Sequence, residues 1–246
     1  MPESLHRELL ETAAQVRGLL QDLQTLGIDE VPCADIPPEL PPCAPGVVGM
    51  DRGGESPCRQ ETLEEIRAEL ENCRRCDLCK GRRNIVFGVG DPHARVVFVG
   101  EAPGREEDEK GEPFVGEAGR LLDRILFAMG LRREEVYICN VLKCRPPGNR
   151  DPGPEEMEAC EPYLKRQLAA IRPRLIVTLG RFAAQSLLRD GTPIGRLRGT
   201  WRQYEGIPLM PTYHPAYLLR NPVCKREAWE DIKEVMKRLR EGEGRE

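Results

Sequence analysis

Arg95-Val96-Val97-Phe98-Val99 is a short apolar run that passes directly into the glycine-rich segment Gly100-Glu101-Ala102-Pro103-Gly104. Consecutive β-branched and aromatic residues are typical of a strand that is buried on both faces. The glycines and the proline that follow predict a loop, and we expect a helix after it, at about 117–129. A strand, a loop and a helix in this order are the repeating unit of an α/β protein.

The same order of elements repeats along the rest of the chain. It predicts strands at 135–141, Leu175–Leu179 and Ile207–Met210, and helices at about 154–170, 181–189 and 227–241. The expected fold is therefore a three-layer α/β/α sandwich with a central four-stranded parallel sheet. Ligands bind such sheets at the carboxyl ends of the strands. Gly100, Asn140, Gly180 and His214 lie at or after the ends of predicted strands, so we expect them to converge on one rim.

The first 60 residues have a different character from the remainder of the 246-residue chain. Apolar positions at helical spacing predict an amphipathic helix over 5–26. Residues 31–60 are rich in proline and glycine, which predicts a flexible linker, and a helix from Thr62 to Asn72 follows it. We therefore divide the chain into an N-terminal extension, 1–60, and a folded domain, 61–246.

The distribution of charge also separates these two parts. Residues 1–62 contain eleven acidic and four basic residues, whereas the remainder contains 33 basic and 30 acidic residues. Basic residues cluster at 80–83, 143–145 and 196–202. Such clusters indicate a polyanionic ligand, although an ordinary solvated surface also carries charge runs. The acidic extension is either a helix that docks a protein partner or a dispensable tail.

The sequence predicts no localisation signal. No run of about 18 apolar residues predicts a transmembrane helix. The N-terminus has no basic start followed by an apolar run, so no secretory signal is predicted. We expect a monomeric, cytoplasmic protein without a membrane partner.

Ten cysteines are many for such a protein, and four of them form two pairs. Cys73 and Cys76 form a C-x-x-C half-site, and Cys144 and Cys160 lie sixteen residues apart. This spacing suits a zinc site and an iron–sulfur cluster about equally well. Cys79 follows Cys76 at the same spacing, so the pattern leaves open which of Cys73, Cys76 and Cys79 bind a metal. The alternative is that all are ordinary thiols.

Four motifs, taken in order, resemble the family 4 uracil-DNA glycosylases, the iron–sulfur enzymes of bacteria and archaea. They are Gly100–Asp108, Gly111–Gly116, Asn140–Pro147 and His214–Tyr217, and the similarity spans about residues 70–240. The resemblance implies uracil-containing DNA as the substrate. It also implies a [4Fe-4S] cluster held by Cys73, Cys76, Cys144 and Cys160. Cys79 matches no ligand of the family.

The resemblance also implies the roles of the pocket residues, since uracil must leave the base stack before it can be cut. Gly100, Glu101 and Ala102 line the pocket in the family, and Phe114 stacks on the base. Asn140 presents an amide to the edge of uracil and so rejects cytosine. His214 stabilises the negative charge on the departing base. Phe114 as a core aromatic and His214 as a structural histidine are the alternatives.

The resemblance implies less directly which residue activates water and which residue enters the DNA as a wedge. Ala102 stands where relatives from other families carry an aspartate that activates water, so we expect Glu101 to take this role. Glu107 and the phosphates of the substrate are the alternatives. Leu219, on a loop after the histidine, is the expected wedge into the minor groove, and Arg220 the expected phosphate partner.

Two other classes of function compete with the glycosylase hypothesis. A non-catalytic nucleic-acid-binding module with a cluster or zinc would need the cysteines and the basic clusters. It would not need Phe114, Asn140 and His214 together. A small-nucleotide enzyme would use the glycine-rich loop for phosphate, but the sequence has no Gly-x-x-x-x-Gly-Lys motif.

Overall fold

The computed structural model describes residues 61–241 and four positions of the N-terminal extension, Arg17, Gly18, Gln21 and Gln24. These four positions are helical and lie within the helix predicted over 5–26. The other residues of that helix, and the linker predicted over 31–60, lie outside the described residues. The division of the chain at residue 60 therefore stays a prediction.

The described residues contain a single six-stranded sheet. Its strands are β1 Val89–Gly90, β2 Val96–Gly100, β3 Tyr137–Asn140, β4 Leu175–Leu179, β5 Arg202–Tyr204 and β6 Ile207–Thr212. Their order across the sheet is β1-β3-β2-β4-β6-β5. The four middle strands are parallel to one another, and β1 and β5 pair antiparallel at the two edges. The predicted parallel core is confirmed, but the predicted count of four strands was too low.

The two missed strands are the shortest ones. β1 has two residues and β5 has three, of which Arg202 and Gln203 are exposed. Neither is long enough to produce the apolar run or the alternation by which strands are predicted from sequence. Both strands form because a longer neighbour offers them an open edge, which is a tertiary effect.

Eight helices surround the sheet in the described part of the chain. They are α1 Leu63–Leu70, α2 Arg105–Lys110, α3 Glu117–Ala128, α4 Pro154–Ile171, α5 Arg181–Leu188, α6 Ile194–Leu197, α7 Pro215–Arg220 and α8 Lys225–Glu241. The segment that carries Leu219, predicted as a loop, is helix α7. Pro215 occupies its first turn and the His214 side chain caps its N-terminus, which together stabilise a helix at this place.

Strand β2 shows how the three layers form. Val96 and Phe98 point to one side of the sheet and pack in a core with residues of α3 and α8. Val97 and Val99 point to the other side and pack with residues of α4 and α5. All four side chains are buried, which explains why the strand reads as a continuous apolar run. The α/β/α sandwich predicted from the sequence is confirmed.

The path of the chain creates a crevice at the carboxyl end of the sheet. β2 pairs with β3 on one side and with β4 on the other. The connection after β2 therefore runs to one side of β2, and the connection after β3 crosses to its other side. Loops diverge at such a position and leave room for a ligand. No helix among residues 61–241 is long and apolar enough to cross a membrane.

Candidate active site and cysteine cluster

A pocket of about 580 Å³ lies at the carboxyl ends of the parallel strands. It is lined by residues that follow all four of these strands, as the sequence predicted. Among the predicted site residues, the pocket lining includes Glu101, Ala102, Phe114, Asn140, His214 and Arg220. Gly100 and Leu219 are not part of this lining, and their positions are described separately below.

Gly100 lies directly beneath two of the lining residues. A Cβ atom at this position would lie 2.3 Å from Oδ1 of Asn140 and 2.5 Å from Cζ of Phe114. Both distances are far below van der Waals contact, so no residue with a side chain fits without displacing them. Glycine is therefore required here because it lets the Phe114 ring and the Asn140 amide both lie close to the backbone at this position.

Phe114 is held in place by its own loop. Its φ angle is 53°, in the left-handed region that residues with side chains rarely adopt. Oε1 of Glu107 accepts hydrogen bonds from the backbone N–H groups of Val115 and Gly116, both at 3.0 Å, and Arg133 donates to the carbonyl oxygen of Pro113. These contacts fix the loop and place the Phe114 ring 5.6 Å from the His214 ring, centroid to centroid.

The Asn140 side chain carries an unused acceptor. The residue is 2% exposed, yet its Oδ1 atom has no hydrogen-bond partner among the described residues. A buried polar atom without a partner costs free energy unless a ligand satisfies it. Because Asn140 lines the pocket, this oxygen indicates a ligand that brings a donor.

His214 has a defined tautomer in its neutral form. Its Nδ1 atom accepts a hydrogen bond from the backbone N–H of Ala216 at 3.0 Å, so the proton of the neutral ring resides on Nε2. Burial lowers the pKa of His214 to about 4; Arg220 acts in the same direction and Glu107 opposes it. At neutral pH the ring is therefore an uncharged donor.

Glu101 shows the opposite shift. Burial raises the pKa of its carboxyl group to about 7; the nearby Asp151 adds to this effect and Arg181 reduces it. Arg181 forms an ion pair with Asp151 at 3.1 Å. A carboxyl group with this pKa is present in both protonation states near neutral pH, which suits a group that accepts or orients a proton.

Helix α7 forms one side of the pocket rim. Leu218 is 1% exposed and anchors the helix, whereas Leu219 is 37% exposed on the outer surface. Tyr217 stacks on Tyr213 with ring centroids 5.1 Å apart, and both rings line the pocket together with Arg220. The rim thus combines aromatic rings, a cation and an outward-facing leucine.

The cysteines lie in a second, smaller cavity. Cys73, Cys76, Cys79, Cys144 and Cys160 all line it, and all are free thiols. Nη1 of Arg82 donates to the Cys144 sulfur at 3.2 Å. Burial raises the pKa of the Cys160 thiol to about 11. The four cysteines singled out from the sequence are therefore brought together, and Cys79 lies with them.

Lys143 connects this cavity to the pocket. Its side chain is fully buried, and Nζ donates to the backbone carbonyl of Asn140 at 2.7 Å. Its backbone N–H donates to the Cys160 sulfur at 3.3 Å. The sequence pattern placed Lys143 in one of the basic clusters that indicate a polyanionic ligand, whereas the structure buries its side chain. Its neighbours Val141 and Leu142, both apolar, were the signal that the lysine is buried.

Comparisons with known proteins agree with the geometry. The family model of the uracil DNA glycosylase superfamily matches residues 87–233. The type-4 uracil-DNA glycosylase of Archaeoglobus fulgidus is 52% identical over 183 residues, which are 71% of this chain and 92% of that protein. Two proteins of Pyrobaculum aerophilum are also similar to this chain, and the aligned regions cover 91% and 88% of their lengths. The type-4 uracil-DNA glycosylase of this organism is 43% identical and its type-5 uracil-DNA glycosylase 33% identical, each over 69% of this chain.

A match of this extent defines the class of protein. The chain belongs to the uracil-DNA glycosylase superfamily, and within it to the type-4 uracil-DNA glycosylases, to which its identity is higher. The family resemblance stated from the four motifs is thus confirmed.

The protonation state of His214 can be tested directly. We expect its NMR titration midpoint near pH 4, with the Nε2–H tautomer above that pH. Because the folded pKa lies below the ordinary value of 6.5, the stability that this group contributes is complete above about pH 6.5 and is lost as the pH falls toward 4. His214→Asn identifies the signal, and a midpoint at or above 6.5 would contradict the assignment.

Proposed function

We propose that the protein is a uracil-DNA glycosylase that extrudes uracil from DNA and hydrolyses its N-glycosidic bond, the first step of base excision repair. The observation that carries the proposal is the unpaired Oδ1 atom of Asn140, buried in a pocket beside the Phe114 ring. The family of the chain supports the same activity. DNA is accordingly the proposed partner.

Recognition follows from the two groups above Gly100. An extruded base stacks on the Phe114 ring, and its edge faces the Asn140 amide. Uracil carries an N3–H donor that satisfies Oδ1, whereas N3 of cytosine is an acceptor. Binding cytosine would leave the buried oxygen unpaired or facing another acceptor, which gives sharp discrimination. Ala102 lines this end of the pocket without a polar side chain, and Gly100 leaves the space that the two groups occupy.

Bond cleavage leaves negative charge on uracil and positive charge on the deoxyribose. We assign the Nε2–H of His214 to the O2 atom of the departing base, where a hydrogen bond strengthens as charge develops. The oxygen of a water molecule bonds to C1′ as the C1′–N1 bond breaks, and uracil leaves with the bonding electrons. The water proton passes to Glu101 or to solvent.

Glu101 is the proposed group that orients this water. Its partly buried carboxylate faces the pocket, and its raised pKa makes it a better proton acceptor than an exposed glutamate. Glu107, the alternative from sequence, has Oε1 engaged by two backbone N–H groups. We therefore assign Glu107 to the positioning of the Phe114 loop.

The cysteine cavity fits the [4Fe-4S] cluster that the family implies. Four thiols from three segments of the chain line one space. Two of their sulfurs accept hydrogen bonds, from Arg82 and from the backbone N–H of Lys143. Among the described residues, no three His, Cys, Asp or Glu side chains are placed to hold a single metal ion. A cuboidal cluster binds each thiolate through a different iron, so its ligands need not converge on one point. We propose Cys73, Cys76, Cys144 and Cys160 as these ligands, with the bound cluster serving as a structural brace.

Uracil release tests the function. The purified protein should release free uracil from a uracil-containing oligonucleotide and nothing from the matching cytosine oligonucleotide. His214→Ala and Asn140→Ala should each lower the rate about 100-fold or more, since each removes a group that acts on the departing base. Phe127→Ala, an exposed position on α3, is the control. Binding to DNA without base release would favour the non-catalytic binding module instead.

The role of Glu101 predicts a pH dependence. Because the carboxylate is the active form, the excision rate should rise with pH through about 7 and level off above it. Glu101→Gln should lower the rate and remove this rise, while circular dichroism stays unchanged. The same rise in the Gln variant would mean that another group titrates.

The proposed wedge predicts a dependence on the DNA strand. Leu219→Ala should lower excision from double-stranded DNA about tenfold, since about 1.4 kcal/mol of the unstacking cost is no longer offset. Excision from single-stranded DNA, which needs no extrusion from a duplex, should change little. Arg220 is the proposed phosphate partner of the same segment. An equal loss on both substrates would argue against a wedge, and Val223, 87% exposed nearby in sequence, would then be examined.

A further inference from the structure

A fifth thiol lies in the cavity that the four proposed ligands line. Cys79 borders the same space as Cys73, Cys76, Cys144 and Cys160, although the family motif assigns it no role. The other two described cysteines lie elsewhere: Cys139 is buried in the core beneath the sheet, and the Cys224 sulfur lies 4.0 Å from the Tyr217 hydroxyl. Cys79 therefore differs from Cys139 and Cys224 in its location beside the proposed ligands.

Cys79 shares one corner of the cavity with a particular ligand. A recess on the surface adjoins the cysteine cavity, and Cys76 and Cys79 line both spaces, whereas Cys73, Cys144 and Cys160 line the inner one. Cys76 precedes the short 3₁₀ turn Asp77–Lys80 that carries Cys79. The backbone N–H of Cys79 donates to the carbonyl of Cys76 at 3.3 Å, so one turn of backbone links the two residues.

The same corner is the accessible one. Cys73, Cys76 and Cys79 are partly exposed, while Cys144 and Cys160 are buried. Of the three partly exposed cysteines, Cys76 and Cys79 line the surface recess as well. A thiolate at the solvent side of a cluster is the one that competing ligands in solvent reach first, because the surroundings of a metal site control access to it. A second thiol one turn away can then occupy the vacated position without rearrangement of the sheet.

We propose that Cys79 is a reserve ligand that can replace Cys76 on the iron–sulfur cluster. In the exchange the bond from iron to the Cys76 sulfur breaks and a bond to the Cys79 sulfur forms. The Cys76 sulfur leaves as a thiolate with its electron pair, the proton of the Cys79 thiol passes to solvent, and no electron is transferred. This inference rests on the cluster part of the proposed function, and it is independent of the uracil chemistry.

Iron and labile sulfide, measured per chain together with the visible absorbance of the cluster, test the proposal. Wild type and Cys79→Ala should each hold about four irons. Cys76→Ala should keep about half or more of this content through Cys79, and Cys76→Ala/Cys79→Ala should keep less than about a tenth. Cys144→Ala is the matched control, because Cys79 does not share its corner, and it should lose the cluster even with Cys79 present.

Each outcome has a separate meaning. Absence of iron from wild type would overturn the cluster, and with it the reserve ligand, but not the glycosylase. Equal iron loss in folded Cys76→Ala and in the double variant would overturn the reserve ligand alone. If Cys76→Ala fails to fold, the rates at which wild type and Cys79→Ala lose iron to a chelator are compared instead. The reserve ligand predicts faster loss from Cys79→Ala, and equal rates would overturn it.

Discussion

The close approach of both Asn140 and Phe114 to Gly100 is the constraint on which the pocket depends. β2 and β3 pair in a register that sets Gly100 opposite Asn140, so the asparagine necessarily projects over the glycine. The absence of a side chain at position 100 leaves space for the phenylalanine ring as well. The base stacking proposed for Phe114 and the base recognition proposed for Asn140 therefore share one place, at the carboxyl ends of two parallel strands.

The segment from Asn140 to Cys144 couples this point to the cysteine cavity. Burial of the Lys143 ammonium group is costly unless hydrogen bonds compensate it, and the Asn140 carbonyl supplies one at 2.7 Å. The next residue, Cys144, and the Cys160 sulfur that Lys143 contacts through its backbone both belong to the cavity. The five residues from Asn140 to Cys144 thus connect the cysteine cavity to the amide that we propose to recognise the base. The proposed cluster can in this way support the geometry of the pocket.

Much of the fold and part of the site could be predicted from the sequence, for physical reasons. Strands β2 and β4 are buried on both faces, so their apolar runs identify them, and the rule for parallel sheets places Glu101, Asn140 and His214 on one rim. The edge strands β1 and β5 were missed because their stability comes from their neighbours. The tautomer of His214 and the position of Glu107 depend on hydrogen bonds from backbone N–H groups, which no sequence pattern encodes. Helix α7 could have been predicted, since a proline after a capping residue favours a helix start.

The electrostatics of the pocket have one common cause. Burial lowers the pKa of His214 and raises that of Glu101, so at neutral pH it disfavours the charged form of both groups. Polar groups in a poorly solvated space interact strongly with charge that develops beside them. Closure of DNA over the rim would exclude more water and enlarge this effect. In the proposed mechanism, the neutral His214 interacts weakly with the uncharged bound base and strongly with the uracil anion that forms when the bond breaks.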